Sequence, residues 1–369
     1  MKLSRFAQIG ALTAVTALTL SACAVNERTP AADSTGDTTL SGTIAGAGAS
    51  SQEVAVQAWT AGFQTANPDV EVTYDAAGSG AGRESFQAGA VAFAGSDRAF
   101  TTDELTGTFA GCTDGSDILQ LPTYISPIAV VFHVEGVDTL DLDATTLAGL
   151  FAGKITKWND PAIAALNPDA TLPDLPVTVV HRADDSGTTE NFADYLHQAA
   201  PDVWTWEPDG VWPSTGGANE AAQGTSGVIS SVTAGNGTIG YADASRASEE
   251  GLSTVAIKVG DEFVEYSPEA AAAVVDASPF EEGRTDGDLA IALDRTTDAA
   301  GVYPIVLISY MIACADYADA AVAPVVKGFL QYVASPEGQD AAAGSAGNAP
   351  ISDSLREQVN AAIDLIVTE

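Results

Sequence analysis

VTVVHRADDSGTTENF, residues 177–192, decides the fold. Its first four residues are β-branched, as in a strand buried on both faces. A polar loop follows over 182–188, and a helical pattern runs on from 189 to 198. Strand, loop and helix in that order are the repeating unit of an α/β protein. The same alternation extends outward. Val70, Val72 and Tyr74 alternate with polar residues and predict a strand, and IAVVF at 128–132 predicts a buried one. Helical spacing falls at 51–66, 82–89, 144–151, 159–166, 188–199 and 321–334. Glycine and proline cluster at most of the joins.

Three loops share one device. Gly46-Ala47-Gly48-Ala49-Ser50-Ser51 leads into a helix, with Glu53 three residues after Ser50. That is capping-box spacing, and it predicts Ser50 at the N-cap. Ala55, Trp59 and Phe63 then form the buried stripe. The strand ending at Tyr74 runs into Gly78-Ser79-Gly80-Ala81-Gly82 and a short helix. The third loop is Arg182 to Thr188, with Ser186 and Gly187 at the helix start. Each brings free backbone N–H groups and a hydroxyl to the positive end of a helix, where an oxyanion binds without any formal charge. One such loop alone is usually only a cap. Three, one with an arginine four residues before its serine, point to an anion site.

Two more residues define the anion. Arg182 can clamp an oxyanion with its planar fork, and Asp184 is close enough to orient it. Asp97 closes the small, apolar stretch Phe93-Ala94-Gly95-Ser96-Asp97. A carboxylate beside a bound anion repels it unless the anion has a proton to donate. Phosphate near neutral pH has one; sulfate has none, so Asp97 would reject it. The plainer reading of Asp97 is a surface acid in a chain rich in them.

Composition narrows the partners. Fourteen Lys and Arg against 50 Asp and Glu give −36, and loss of Lys2 and Arg5 would give −38. Nothing in such a chain neutralises a nucleic-acid backbone, so nucleic acid is excluded as a partner. A small anion is not excluded, because a buried site uses local dipoles, although long-range steering opposes its approach.

The N-terminus sets the compartment. Lys2 and Arg5 precede an apolar run over 9–20, and Leu20-Ser21-Ala22-Cys23 closes it. That order reads as a secretory signal, and small residues before a cysteine resemble the lipobox of bacterial lipoproteins. The expectation is removal of 1–22, lipid on Cys23 and a flexible tether over 23–41. Cys112 and Cys314 then remain, as one disulfide or as two buried thiols. Roughly 330 further residues exceed one ordinary core and predict two lobes.

Enzyme signatures fail. Gly46-Ala47-Gly48 lacks the third glycine of a dinucleotide fold, and Gly149 to Lys154 falls one residue short of a P-loop. Asp185-Ser186-Gly187-Thr188-Thr189 matches an aspartic-protease loop, but a single-chain protease needs two. His133, His181 and His197 lack metal-ligand spacing. No catalytic residue, metal or cofactor is expected.

With these pieces in view, the chain resembles the periplasmic phosphate-binding proteins of bacterial phosphate ABC transporters over nearly all of its mature length. GAGAS (46–50), GSGAG (78–82), FAGSD (93–97), GKITKWNDPAIAALNP (153–168), HRADDSGTT (181–189) and TIGYAD (238–243) carry the resemblance, with YPI at 303–305. It implies an α/β, bilobal type II binding-protein fold whose lobes are joined by two crossing strands, near 122–126 and 301–305. Lobe one would be 42–123 plus 305–352, lobe two 124–304, and 353–369 a C-terminal helix. Both Cys112 and Cys314 then fall in lobe one, which favours pairing them. The resemblance carries phosphate-binding roles to Ser50, Ser51, Ser79, Asp97, Arg182, Ser186, Gly187 and Thr188, with Asp184 in support. Ser51 stands where the family often has an aromatic, so its backbone N–H is expected to serve and its side chain to matter little. Arg98 replaces the usual small residue and is expected at the cleft mouth. The implied partners are inorganic phosphate and the permease subunits of a phosphate ABC importer, with the membrane reached through the lipid alone. The protein would be a monomer on the outer face of the cytoplasmic membrane. Sulfate, molybdate or arsenate receptors are the alternatives, of which Asp97 leaves arsenate; a sensing or adhesive surface protein is the third.

Overall fold

The computed structural model describes residues 40–368. The expected signal, Cys23 and all but the last two residues of the expected tether lie outside the described residues. Residues 39–369 form one compact unit. β1 (Gly42–Gly48) leads to α1 (Glu53–Ala66), and β2 (Val70–Asp75) to α2 (Ser79–Gln87) and β3 (Phe93–Ser96). The long β4 (Ile118–His133) is followed by β5 (Thr139–Leu142), α3 (Ala144–Phe151) and α4 (Pro161–Leu166). Then come β6 (Thr178–Arg182), α5 (Gly187–Ala199), β7 (Ala218–Ala222), α6 (Gly224–Ala234) and β8 (Thr238–Asp243). α7 (Ala244–Glu250), β9 (Ser253–Val259), β10 (Glu262–Val264) and α8 (Pro268–Ala277) precede β11 (Val306–Cys314). α9 (Ala323–Ala334), α10 (Pro336–Ala346) and α11 (Asp353–Ile363) follow.

Each predicted helix and strand has a counterpart here, with local reasons. Asp160 caps α4 by accepting from the Ala162 N–H, and Pro161 fills the first helical position, where no N–H is needed. Ser186 caps α5 by accepting from Thr189 N at 3.2 Å. The capping box at Ser50 does not form: α1 starts at Glu53 with Gln52 at its N-cap and no side-chain cap bond. The Ser50 hydroxyl has another partner, described below.

Strand order along the main path is β2-β1-β3-β11-β4-β8-β6-β7, with β9 also on β4 and paired to β5 and β10. β1 is parallel to β2 and β3, and β6 is parallel to β7 and β8. β11 is antiparallel to β3 and β4. β4 is the joint. It pairs with β11 through Pro127 and with β8 from Ile128 onward, so one strand belongs to two sheets and the α/β structure has two lobes. The change of sheet falls just beyond the expected 122–126, because pairing to β11 persists that far. Ser309 faces Tyr124 and Tyr310 faces Pro122, leaving Thr123 as a bulge. Pro122 cannot donate to a ladder, which is where a sheet accepts an irregularity. The second connection passes beside the first, with Ile128 N donating to Ile305 O at 2.7 Å and the Tyr303 hydroxyl to Ile128 O at 2.9 Å.

Apolar packing closes both lobes. β4 is buried from Ile118 to Phe132; complete burial of a side chain such as Phe132 stabilises by about 1.5–3 kcal/mol. Trp59 meets Tyr124 edge-on and donates its indole N–H to Gly338 O at 2.8 Å. Trp158, from the quoted GKITKWND stretch, does the same to Gly237 O at 3.0 Å. Cys112 and Cys314 are joined by a disulfide with Cα atoms 5.5 Å apart and a sequence separation of 202. It ties the end of β11 to the loop before β4. So long a closed loop leaves the unfolded chain much less free. The double variant Cys112→Ala/Cys314→Ala should therefore lose about 3–5 kcal/mol in denaturant unfolding.

A carboxylate is buried at the joint. Asp243 ends β8, and its Oδ1 accepts from the Tyr124 hydroxyl and from Ser245 N, each at 3.0 Å. Burial pushes its pKa up to about 6, against the opposing hydroxyls of Ser245, Ser126 and Tyr124. A folded pKa raised above the unfolded value of about 3.9 contributes stability present below pH ~4 and lost as pH rises through ~6. Asp243→Asn keeps the acceptor but cannot ionise. Between pH 4 and pH 7 the wild type should lose on the order of 3 kcal/mol relative to this variant, read by chemical denaturation at both pH values.

Candidate anion-binding cleft

The three glycine-bearing loops and Asp97 converge between the lobes. β1 ends at Gly48, whose φ of +143° and contact with Gly95 O, 1.9 Å from where a Cβ would sit, admit only glycine. The chain then turns through Ser50 and Ser51, both buried. Ser51 Oγ donates to Asp97 Oδ1 at 2.6 Å. Ser79, the first residue of α2, accepts from Asp97 N at 3.1 Å. From the other lobe, Thr188 Oγ1 donates to Asp97 Oδ2 at 3.0 Å, and Asn191 Nδ2 donates to Asp97 O at 2.6 Å. A Cβ on Gly187 would lie 2.5 Å from Asp97 Cβ and 2.7 Å from Ser79 Oγ, so the missing side chain lets the lobes meet.

Arg182 ends β6 and is 3% exposed. Its Nε donates to Asp184 Oδ1 at 2.8 Å and its Nη2 to Asp184 Oδ2, a bidentate pair that leaves Nη1 aside. Gly224 N also donates to Asp184, at 3.0 Å. Burial alone would raise the Asp184 pKa, but the bonds and charge of Arg182, with backbone N–H groups, outweigh it and hold the carboxyl below its ordinary value. Asp97 is the reverse case. Burial pushes its pKa up, and the hydroxyls of Ser51 and Thr188 with the Arg182 charge offset only part of that.

Ser50 reaches across to the second lobe instead of capping α1. Its Oγ lies 3.1 Å from Thr225 Oγ1 and accepts from Thr225 N at 3.2 Å. The Ser51 side chain, expected to matter little, is buried, and its hydroxyl is bonded to Asp97. Arg98 is half-buried beside the cleft, where it pairs with Glu104 at 2.6 Å and reaches Glu190 of α5 at 3.0 Å. With Asp97, Arg284 and Arg295 it lines a cavity of about 470 Å³. Asp185, the acid of the protease-like loop, lies 3.6 Å from Arg83 in an ion pair. Gly216 and Gly217 face Gly153 and are exposed, away from the cleft, whereas Gly210 of the same segment accepts from Ser186 N at 3.0 Å.

Five residues of the cleft went unread. Thr225 follows Gly224 at a helix start, a fourth copy of the glycine-hydroxyl device. Asn191 lies one turn beyond Gly187 and also donates to its carbonyl at 2.9 Å. Tyr241, inside TIGYAD, accepts from Arg182 N at 3.3 Å, sits 2.6 Å from Thr189 Oγ1 and stacks on Phe192. Ser309 is the one serine in a wholly buried strand. Arg295, fully buried, bonds Asp194, Asn191 and the carbonyls of Pro304 and Val306. Only Thr225 and Ser309 left a local signal.

Two lobes with oxyanion-directed loops between them define a solute-binding protein of the periplasmic type. The PBP superfamily domain matches residues 33–337. Phosphate-binding protein PstS 3 of Mycobacterium tuberculosis is 34% identical over 378 residues, covering 99% of this chain and 100% of that one. PstS 3 of Mycobacterium leprae is 33% identical, with 99% and 100% covered. A solved phosphate-binding protein of Stenotrophomonas maltophilia shares the fold with a TM-score of 0.66 at 21% identity, covering 87% of this chain and 94% of that one. The chain belongs to the PBP superfamily and, within it, to the PstS family of phosphate-binding proteins.

The contact at Gly187 makes a testable demand. Gly187→Ala should hold the lobes apart, giving a larger radius of gyration in small-angle scattering with an unchanged far-UV spectrum. A radius equal to that of wild type would mean that the Asp97 and Ser79 loops yield instead.

Proposed function

We propose that the cleft binds inorganic phosphate outside the cytoplasmic membrane and delivers it to the permease subunits of a phosphate ABC importer. PstS family membership over the whole chain supports this, and it places the protein among binding proteins rather than enzymes. The observation that carries the reading is the buried Asp97 carboxylate facing the N-terminus of α5, with Arg182 close enough to act on it by charge.

Each group has a role in this reading. Backbone N–H groups at Ser51, Gly187 and Thr188, and the hydroxyls of Ser50, Ser79 and Ser186, donate to the anion, while the Thr188 hydroxyl is spent on Asp97. The α5 dipole favours its charge. Asp184 takes two edges of Arg182 and turns Nη1 to the ligand. Asp97 accepts the proton that phosphate carries and sulfate lacks. Arsenate, protonated in the same way, would also be accepted.

The sequence supports the finer points of location. Removal of 1–22 and lipid on Cys23 would anchor the protein to the outer face of the membrane through the tether. Among the described residues no helix is long and apolar enough to cross a membrane. In this reading the protein works as a monomer, with lobe one formed by 42–123 and 305–352 and lobe two by 124–304.

Calorimetric titration of lipid-free protein (residues 24–369), stripped of bound anion, tests the function. One-to-one phosphate binding with sulfate rejected is the expected result. Asp97→Asn, which offers the anion an N–H in place of a lone pair, should cut the preference for phosphate over sulfate by about 10- to 100-fold. A wild-type protein that ignores phosphate would overturn the assignment of the cleft.

A further inference from the structure

Asp97 is bonded from several directions at once. Ser51, in the turn before α1, donates to Oδ1 at 2.6 Å, and Thr188, from the other lobe, donates to Oδ2 at 3.0 Å. The Ser309 hydroxyl of β11 is buried and makes no hydrogen bond to Asp97. The Asp97 main chain is fixed as well, since Ser79 Oγ accepts from its N–H and Asn191 donates to its carbonyl. An ionised carboxylate offers about four lone-pair positions. Two hydroxyl donors, Ser51 and Thr188, leave about two for a ligand.

Resting on the reading of the cleft as a phosphate site, we propose that the Ser51 side chain determines specificity: its hydroxyl orients the Asp97 carboxylate and keeps it ionised, so that one lone pair meets a protonated oxyanion. An aromatic residue at this position, frequent in the family that the sequence resembles, has no hydroxyl to give. Ser51 is 1% exposed, and its bond to Asp97 is 0.4 Å shorter than that of Thr188 (3.0 − 2.6), so it is held in place rather than free to turn to solvent.

The charged and titratable surroundings of Asp97 are few. Arg182 of β6 stabilises its charge, and Tyr74 of β2 is a phenol whose own pKa burial and the Asp97 charge push up. Arg98, next in the chain, is engaged by Glu104 and Glu190, while Arg83 of α2 donates to Ser96 Oγ at 2.8 Å. Burial pushes Asp97 towards its neutral form, and donors such as Ser51 oppose that push. Without the Ser51 hydroxyl, Asp97 takes up its proton at higher pH. A protonated Asp97 donates where it should accept, and the preference for a protonated anion goes with it.

The test is calorimetric titration with phosphate and with sulfate from pH 5 to pH 8, using wild type, Ser51→Ala and Ser51→Thr, with circular dichroism to confirm folding. Ser51→Ala should reduce the phosphate-over-sulfate affinity ratio at pH 7 roughly 10-fold and move the acid limb of phosphate binding up by about one pH unit, with Ser51→Thr restoring both. Ser51→Ala indistinguishable from wild type at every pH would overturn the proposal and leave Ser51 its backbone N–H alone. An equal loss for both anions at every pH would also overturn it, marking Ser51 as a packing residue. Failure of the wild type to bind phosphate would be a different result, because it removes the underlying function together with this refinement.

Discussion

A carboxylate taken out of water is costly unless donors surround it, and the donors to Asp97 come from both lobes. Much of the architecture follows from that requirement. Ser51 lies in the turn after β1 and Ser79 opens α2, so the parallel pairing of β1 with β2 and β3 brings both to one edge of the first sheet. Thr188 and Asn191 occupy the first turns of α5 in the second lobe, and their reach to Asp97 demands that Gly187 carry no side chain. The strand shared between the sheets, β4, fixes how the two edges face each other. Tyr124 and Asp243, bonded across the joint, hold that arrangement at its base.

The acidic surface raises the question of how an anion could find such a site. Cations are scarce here, but their placement is not random. Arg182 lies in the cleft, Arg83 reaches its Asp185 edge, and Arg98, Arg284 and Arg295 line the adjoining cavity. Each is matched by at least one carboxylate, so the local field is one of alternating charge and not a positive funnel. In the function proposed above, attraction then comes from short-range donors, the helix dipole of α5 and Arg182, which act within a few ångströms. Selectivity benefits: net positive charge would attract sulfate as readily as phosphate, while hydrogen-bond geometry separates them.

Much of this was legible in the sequence because its signals are local. VTVVHRADDSGTT announces strand, loop and capped helix within thirteen residues, and Asp160-Pro161 marks the start of the preceding helix, α4. The readings that failed depend on distant partners. Ser50 has the spacing of a capping residue, yet a threonine 175 positions away offers its hydroxyl a better bond. Glycines made β1 look like a loop, whereas its pairing with β2 and β3 makes it a strand. Asn191 and Arg295 resemble ordinary polar residues until α5 and the crossing segment come together. The bond of the Ser51 hydroxyl to Asp97 was hidden for the same reason, since Asp97 lies 46 residues on.

Contacts between the lobes fall into two sets with different consequences for ligand binding. The outer set comprises Arg98 with Glu190, Arg246 with Glu53, and Gly80 N with Asp185 O; it joins the lobes without needing the anion. The inner set comprises the bonds of Thr188 and Asn191 to Asp97, with Thr188 on the carboxylate that a protonated oxyanion would address. A ligand shifts an equilibrium between open and closed forms only by what it binds better in one of them. The outer set therefore adjusts how readily the lobes close whatever the anion, and it weakens with salt because its ion pairs are partly exposed. In the function proposed above, the inner set is where one anion is told from another. Because the two sets share almost no atoms, substitution at the rim can alter affinity while leaving discrimination intact, and substitution around Asp97 can do the reverse.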